Sequence, residues 1–356
     1  MIQAGTYPIY FDDLRLSGIS QLIEKKSKNA KRIVLTDSNT HRFCLPKLMN
    51  GVKALESASI IEIPEGENNK NIETCTNVWE TLIAMEADRN AILINLGGGV
   101  ITDMGGFIAG TYKRGIQYIN IPTTLLSQVD ASVGSKVAID IKSMKNQVGL
   151  FYDPLAVFID PGFLSTLSKR EMINGYAEML KHAILHHQDH LEEIMLFPMH
   201  DLNILNTLVQ KSVSFKNDIV LSDPVEKGIR KILNFGHTVG HALETFSMEY
   251  DRKQLKHGEA IAIGMICELY LSHEQLKFPA RKMDTISEFI LSVYPKFQFE
   301  KAEIARIVEL MRSDKKNTEG KINFSLLYDV GKPSYDHFAN APQIEKSLQY
   351  YLDLTR

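Results

Sequence analysis

Cysteine is scarce in this chain. Cys44, Cys75 and Cys267 stand far apart among 356 residues. An odd, scattered set excludes a disulfide framework and points to reduced, buried thiols in a cytoplasmic protein. An excess of one charge is also lacking: 40 Lys and Arg against 43 Asp and Glu leave a net charge of −3. No global positive field favours nucleic acid, so any anion must be held by a local cluster. No apolar run approaches the ~18 residues that suggest a membrane span. Met1-Ile2-Gln3-Ala4-Gly5-Thr6 has no basic stretch leading into an apolar one, so no secretory signal is expected. Internal repeats and low-complexity tracts are missing too.

What is present is an ordinary globular composition, 44% hydrophobic and 23% charged, in a chain long enough for two domains. Strand-like runs at 32–36, 59–63, 91–96 and 117–121 alternate with helical patterns at 40–49, 71–87 and 100–112. Such alternation implies a mostly parallel sheet covered on both faces. Past Pro161 the pattern becomes helical, at 170–186, 204–220, 240–246, 259–274 and 302–312, broken by one hairpin signal at 321–332. These patterns predict an α/β domain over 1–160 and a helical domain over 161–356, with the boundary at Asp160-Pro161-Gly162 and a cleft between them as the default ligand site.

The stretch from 229 to 244 is the most informative. If it is one helix, Arg230, Asn234, His237 and His241 share a stripe at four-residue spacing. Two imidazoles, a guanidinium and an amide make a poor core face and a good wall for a metal and an anionic substrate. The plain alternative is a solvated face with incidental histidines. His257-Gly258-Glu259 opens another apolar helix and offers a third ligand. Glu178, His237 and His257 would complete a two-His, one-carboxylate zinc site with a position open for substrate. Glu178 and Lys181 also have the spacing of an ordinary helix-surface ion pair. Lys216, Glu226 and Arg230 precede the histidines.

In the first half, Gly97-Gly98-Gly99 lies between a strand and a helix, where backbone N–H groups can meet a pyrophosphate. The same triplet also suits a simple strand-to-helix turn, and its spacing is not Gly-x-Gly-x-x-Gly. Asp103 is a partner for the helix dipole or an acceptor for a cofactor hydroxyl. Arg114, Lys136, Lys145 and Asn146 surround a polar stretch from Pro122 to Lys136 and could together hold phosphate or carboxylate oxygens; a solvated loop is the alternative.

Taken in order, these motifs resemble the 3-dehydroquinate synthases, a branch of the sugar phosphate cyclases, from about Thr36 to Lys316. The match runs through Gly97-Gly98-Gly99-Val100 with Asp103, Tyr112-Lys113-Arg114-Gly115 and Pro122-Thr123-Thr124-Leu125-Leu126 to Asp130 and Lys136. It continues through Lys145-Asn146, Glu178-Met179-Leu180-Lys181, Arg230 to Glu244, His257-Gly258-Glu259-Ala260 and Asp314-Lys315-Lys316. The resemblance implies a Rossmann-like NAD-binding domain followed by an all-α domain that binds metal and substrate. It implies that Glu178, His237 and His257 hold a divalent ion, zinc or else cobalt. Asp130, Lys136, Asn146, Lys181, Lys216, Glu226, Arg230, Asn234, His241 and Lys315 match substrate-site positions. Arg114 matches a residue that reaches a neighbouring subunit, implying a homodimer. Asp37, Asn39, Glu67, Lys70, Gly98, Gly99, Val100, Asp103, Thr123, Thr124, Lys145, Phe163 and Thr166 match cofactor-contacting positions.

The implied substrate, 3-deoxy-D-arabino-heptulosonate 7-phosphate, carries a carboxylate and a phosphate. Both need cations, which accounts for Arg and Lys in a chain with no positive excess. One departure stands out. Gly134-Ser135-Lys136-Val137 replaces the family's common Gly-Gly-Lys-Thr. Cyclases of sedoheptulose 7-phosphate or glucose 6-phosphate are the nearest alternative. An NAD- and metal-dependent polyol dehydrogenase would not need the phosphate-directed cations, and a non-catalytic sensor would not need Lys136, Lys216 and His241 together. No nucleic-acid or membrane partner is expected.

Overall fold

The computed structural model describes residues 1–26, 30–142, 144–197, 201–249, 254–312 and 322–356. The chain divides into two compact units, Met1–Met172 with Met199–Asn217, and Ile173–Pro198 with Asp218–Arg356. The first therefore takes in residues 161–172 and 199–217, beyond a cut at 160.

The first unit is built on strands β1 (Ile2–Ala4), β2 (Tyr7–Phe11), β3 (Arg32–Asp37), β4 (Ser59–Ile63), β5 (Ile92–Gly97) and β6 (Gln117–Pro122). A hairpin, β7 (Lys136–Ile141) and β8 (Met144–Phe151), precedes β9 (Ala156–Ile159). Seven strands form one sheet in the order β1-β2-β9-β6-β5-β3-β4, parallel throughout except for the β1–β2 pair. Alternation along the strands sorts the core. Ile33, Leu35 and Leu93 pack on one face and Val34, Ile92, Ile94 and Leu96 on the other. Helices α1 (Ile19–Lys26), α2 (Ser38–Phe43), α3 (Leu45–Gly51), α4 (Ile72–Ala84) and α5 (Gly99–Thr111) belong to this unit. Leu45 and Leu48 of α3 join the second cluster, Val78 of α4 and Met104 of α5 the first. With both faces covered, the strands read as continuous apolar runs, as a buried parallel sheet requires. The 40–49 pattern is two short helices, because Pro46 sits at the start of α3 and cannot continue α2.

Strand order reverses at β3, with β4 on one side and β5 on the other. That switch point lies at the carboxyl ends of β3 and β5, where Asp37 and Gly97 stand. In open α/β sheets this is where ligands bind.

The second unit is helical, with one exception. It takes α6 (Lys169–His186) from Ile173 onward, α7 (Gln188–Leu196), α9 (His237–Glu249), α10 (His257–Leu276), α11 (Ala280–Val293) and α12 (Ile304–Arg312), whereas α8 (Leu202–Ser222) lies in the first unit as far as Asn217. The hairpin signal is a real antiparallel pair, β10 (Ile322–Asp329) and β11 (Lys332–Ala339), before the last helix, α13 (Ala341–Thr355). No helix among the described residues is long and apolar enough to cross a membrane.

Residues 229–244 are not one helix. A 3-10 turn over Ile229–Asn234 stops at Phe235, and α9 starts afresh at His237. The hinge is Gly236, at φ +80°. A Cβ there would stand 2.7 Å from Met265 Cγ and 3.1 Å from the Ile261 carbonyl. Only glycine suits both the backbone angle and the close approach of α10. Arg230 and Asn234 therefore do not share a helical stripe with His237 and His241.

Candidate functional site

In the second unit, α6 carries Glu178, Lys181 and His182 on one face at three- and four-residue spacing. All three are buried; Glu178 and His182 are 0% exposed. Glu178 Oε1 lies 3.6 Å from His237 Nε2 and 3.7 Å from His257 Nε2. Its other oxygen contacts Lys181 Nζ and lies 4.0 Å from His182 Nε2. One donor atom from each of Glu178, His237 and His257 falls within 4.8 Å of the others. Donors held by one zinc ion at about 2.0–2.2 Å stand roughly 3.3 Å apart, so small adjustments would close this triplet around a cation.

The far side of each imidazole is also fixed. His237 Nδ1 is 3.1 Å from the Phe235 carbonyl, which can only accept, so Nδ1 carries a hydrogen and Nε2 is the nitrogen that faces Glu178. His257 Nδ1 is 3.5 Å from Glu244 Oε2. Imidazoles backed by a carbonyl or carboxylate are the usual arrangement behind a metal. Burial lowers the pKa of His257, but its bonds to Glu178 and Glu244 and their charges outweigh this and raise it to about 9. His241, one turn further along α9, places its ring centroid 5.2 Å from that of His237.

Arg230 is 3% exposed and donates from Nη1 to the Pro224 carbonyl at 2.6 Å. Asp223 gathers the loop before it, accepting from the N–H groups of Lys227, Gly228 and Arg230 at 3.0, 2.7 and 3.1 Å. Desolvation raises the Asp223 pKa, but these backbone bonds and the Arg230 charge together hold it below the ordinary value. Asn234 Nδ2 donates to Glu226 Oε1 at 2.6 Å, and Glu226 itself sits at φ +59°. Non-glycine residues in this region are strained and concentrate at functional sites.

In the first unit, Asp130 lies in a π-helical turn, Ser127–Ala131, a form enriched at functional sites. Lys216 Nζ, on α8, bonds to Asp130 Oδ1 at 2.7 Å and to its carbonyl at 2.5 Å. Lys70, 3% exposed, reaches Asp103 Oδ2 at 2.6 Å and Asn146 Oδ1 at 2.7 Å. Burial works against its charge, but Asp103 and Glu67 outweigh this and raise its pKa. Lys145 pairs with Glu67 at 3.7 Å. Asp37 ends β3 and caps α2, accepting from Thr40 N at 2.8 Å, with Asn39 exposed in the first turn of that helix.

Gly98 and Gly99 open α5 with Val100, and Gly98 makes no side-chain cap bond. A Cβ on Gly98 would stand 3.0 Å from Thr124 Cγ2. Thr123 and Thr124 follow β6, and Phe163 and Thr166 lie in a 3-10 turn, Pro161–Thr166. Lys136 is exposed at the start of β7. Arg114 is exposed in a run of three left-handed residues, with φ +51° at Lys113, +66° at Arg114 and +113° at Gly115. Lys315 lies outside the described residues.

Two models of one family match consecutive parts of the chain: 3-dehydroquinate synthase N-terminal over residues 60–174 and C-terminal over 175–317. A 3-dehydroquinate synthase of Parabacteroides distasonis is 44% identical over 326 residues, covering 91% of this chain and 92% of that protein. The chain belongs to the 3-dehydroquinate synthase family.

A further relative of that name, from Caldanaerobacter subterraneus, is 38% identical over 339 residues, 93% of this chain and 94% of the relative. Among solved structures, a 2-deoxy-scyllo-inosose synthase complexed with carbaglucose-6-phosphate, NAD+ and Co2+ is similar at a TM-score of 0.82 and 25% identity, covering 97% of this chain and 96% of that one. A 2-epi-5-epi-valiolone synthase from Streptomyces hygroscopicus with NAD+ and Zn2+ bound shares the fold at a TM-score of 0.84 and 22% identity, over 99% of both chains. This family's α/β-plus-helical architecture is the one expected from the alternation of strand and helix signals.

Sequence reasoning assigned no role to Glu244, Asn174 or Glu268, which hold the elements bearing the imidazoles. Glu268 had a visible signal, a lone acid inside the apolar run from Ile261 to Leu271.

Proposed function

We propose that this enzyme converts 3-deoxy-D-arabino-heptulosonate 7-phosphate to 3-dehydroquinate and phosphate. The observation that carries the reading is the donor triplet of buried Glu178 with the partly exposed His237 and His257, the imidazoles backed by Phe235 and Glu244, in a chain of this family. These three residues would hold a divalent cation, with zinc first and cobalt second. The open start of α5 and the switch point beside Asp37 support NAD binding in the first unit through the residues that match cofactor positions. When bound, the cation supplies Lewis acidity at a substrate hydroxyl, and NAD supplies a reversible hydride acceptor.

The conversion is redox-neutral overall. An alcohol is oxidised to a ketone, the carbon beside that ketone gives up its proton as phosphate leaves from the next carbon along, the ketone is reduced again, and the opened sugar closes by an intramolecular aldol step. Arg230 provides the fork that a carboxylate fits, and Asn234 lies four residues along the same turn. Lys181 is the cation that faces Glu178. The ammonium of buried Lys216 and the half-buried Asp130 carboxylate form a pair able to hold a proton. His241 adds a third imidazole beside His237, one turn further along α9. The homodimer and the reach of Arg114 belong to the same proposal, and the left-handed backbone at Arg114 supports them. Three buried cysteines with no disulfide support a reducing, cytoplasmic setting.

Phosphate release tests the substrate assignment. With NAD and zinc present, the acid sugar phosphate is expected to turn over, and sedoheptulose 7-phosphate and glucose 6-phosphate to be poor substrates. Faster release from either neutral sugar would transfer the assignment to another cyclase and make the Gly134-Ser135-Lys136-Val137 departure the deciding feature.

Cation binding should also depend on pH. With its pKa raised to about 9, His257 is protonated in the ion-free protein at neutral pH, and a cation must displace that proton. Apparent zinc affinity is therefore expected to strengthen as pH rises from 6 toward 9. Titration calorimetry in buffers of different ionisation heat should show about one proton released per ion at pH 7. An affinity flat across that range, with no proton released, would contradict it.

A further inference from the structure

His237 and His257 share a structural peculiarity: each is the first residue of its helix. A helix start leaves N–H groups without intrahelical partners, and a side chain just before the helix usually satisfies them. Here buried side chains from other helices do so, joined at α10 by its own Glu259, which accepts from Lys256 N at 2.8 Å. Glu268, on α10 and 0% exposed, accepts from Gly236 N at 2.7 Å, Thr238 N at 3.1 Å and Val239 N at 3.3 Å. These donors bracket His237. Asn174, on α6 and 8% exposed, accepts from Gly258 N at 2.7 Å through Oδ1. That donor is the residue after His257.

The connections form a chain of dependence. The helix bearing Glu178 fixes the start of the helix bearing His257, one turn before Glu178 itself. The helix bearing His257 fixes the start of the helix bearing His237. Glycines make both approaches possible. A Cβ on Gly258 would lie 2.0 Å from the Asn174 carbonyl oxygen, and one on Gly264 would lie 1.9 Å from the Gly236 carbonyl oxygen and 2.8 Å from Gly240 N. Ordinary side chains at these points would push the helix starts away.

We propose that Glu268 and Asn174 are positioning residues for the cation site, setting the separation of the two imidazoles from Glu178 by capping their helices from outside. This rests on the reading of Glu178, His237 and His257 as cation ligands. A carboxylate suits the role of Glu268, since it accepts three bonds at once and complements the positive end of α9. A carboxamide keeps the shape but lacks the charge and offers a single acceptor oxygen.

The test is cation affinity of the whole protein, measured by competition with a chromogenic chelator, together with the visible spectrum of the Co2+-loaded form. E268Q is compared with wild type and with N340A. Asn340 caps α13 in the ordinary way, accepting from Gln343 N at 3.1 Å, so N340A controls for general loss of stability. E268Q is expected to weaken Zn2+ and Co2+ binding by about 10-fold or more and to alter the Co2+ spectrum, while N340A changes neither. NAD binding should be unchanged in both variants. N174A, affecting the other cap, should reproduce the effect of E268Q and serves as the test if E268Q does not fold. A folded E268Q or N174A with wild-type affinity and spectrum would overturn the proposal. So would equal losses in N340A, or failure of both cap variants to fold, since either would mark the caps as serving stability alone. A wild-type protein that takes up no cation, or a H257A variant that binds as well as wild type, would overturn the ligand reading itself and this proposal with it.

Discussion

His257→Ala is expected to bind zinc far more weakly than the wild-type protein, and turnover should fall to background at zinc concentrations that saturate the wild type. Removing an outer hydrogen-bond partner of a metal ligand typically costs roughly 10–100-fold in affinity, and removing the ligand itself should cost more. The side chain lost is one of three donors converging within 4.8 Å, and no other His nitrogen or carboxylate among the described residues forms a group with Glu178 and His237. Chelation of the wild type should have the same effect on turnover, reversible by zinc or cobalt. NAD binding should survive both treatments, because the residues proposed to hold it lie in the other compact unit. Unchanged zinc affinity in His257→Ala would remove this residue from the ligand set, and full activity in a chelated sample free of metal would remove the cation from the reaction.

Arg230→Ala is expected to weaken the carboxylate-bearing substrate by at least ~10-fold in kcat/KM, since a charged hydrogen bond lost from a dry site costs ~1.5–3 kcal/mol. Arg230 is almost wholly buried, and its loop is held by Asp223, so the guanidinium is set in place before any ligand arrives. Arg230→Lys should recover only part of the loss, because an ammonium cannot make two parallel bonds to one carboxylate. Steady-state kinetics on the acid sugar phosphate, with NAD affinity measured alongside, checks this. An equal loss in NAD affinity would mean that the change had disturbed the fold rather than the substrate contact.

Much of this architecture can be read from residue order because it depends on local periodicity. The runs at 32–36 and 91–96 are apolar on both faces, as strands buried from two sides must be, and they are β3 and β5 in the structure. The helix bearing Glu178 was equally plain from its period. The break between Asn234 and His237 was not. Gly236 in the sequence is compatible with a helix at modest cost, and what forces the break is its left-handed backbone against Ile261 and Met265 of a helix some 25 residues further on. The hairpin of β7 and β8 was hidden for a related reason. Its outer face is largely exposed, and the polar stretch before it resembles a loop. The helix caps by Glu268 and Asn174 also lie beyond the reach of local pattern, since cap and donor are 32 and 84 residues apart.

The most direct test of a redox-neutral cyclisation follows phosphate release and NADH absorbance in the same cuvette, with purified enzyme, zinc, a fixed small amount of NAD and excess 3-deoxy-D-arabino-heptulosonate 7-phosphate. Phosphate should be released in many-fold excess over NAD while NADH does not accumulate, because each hydride removed is returned before product leaves. NADH growing in step with substrate consumed, or phosphate release that stops after one equivalent of NAD, would contradict it.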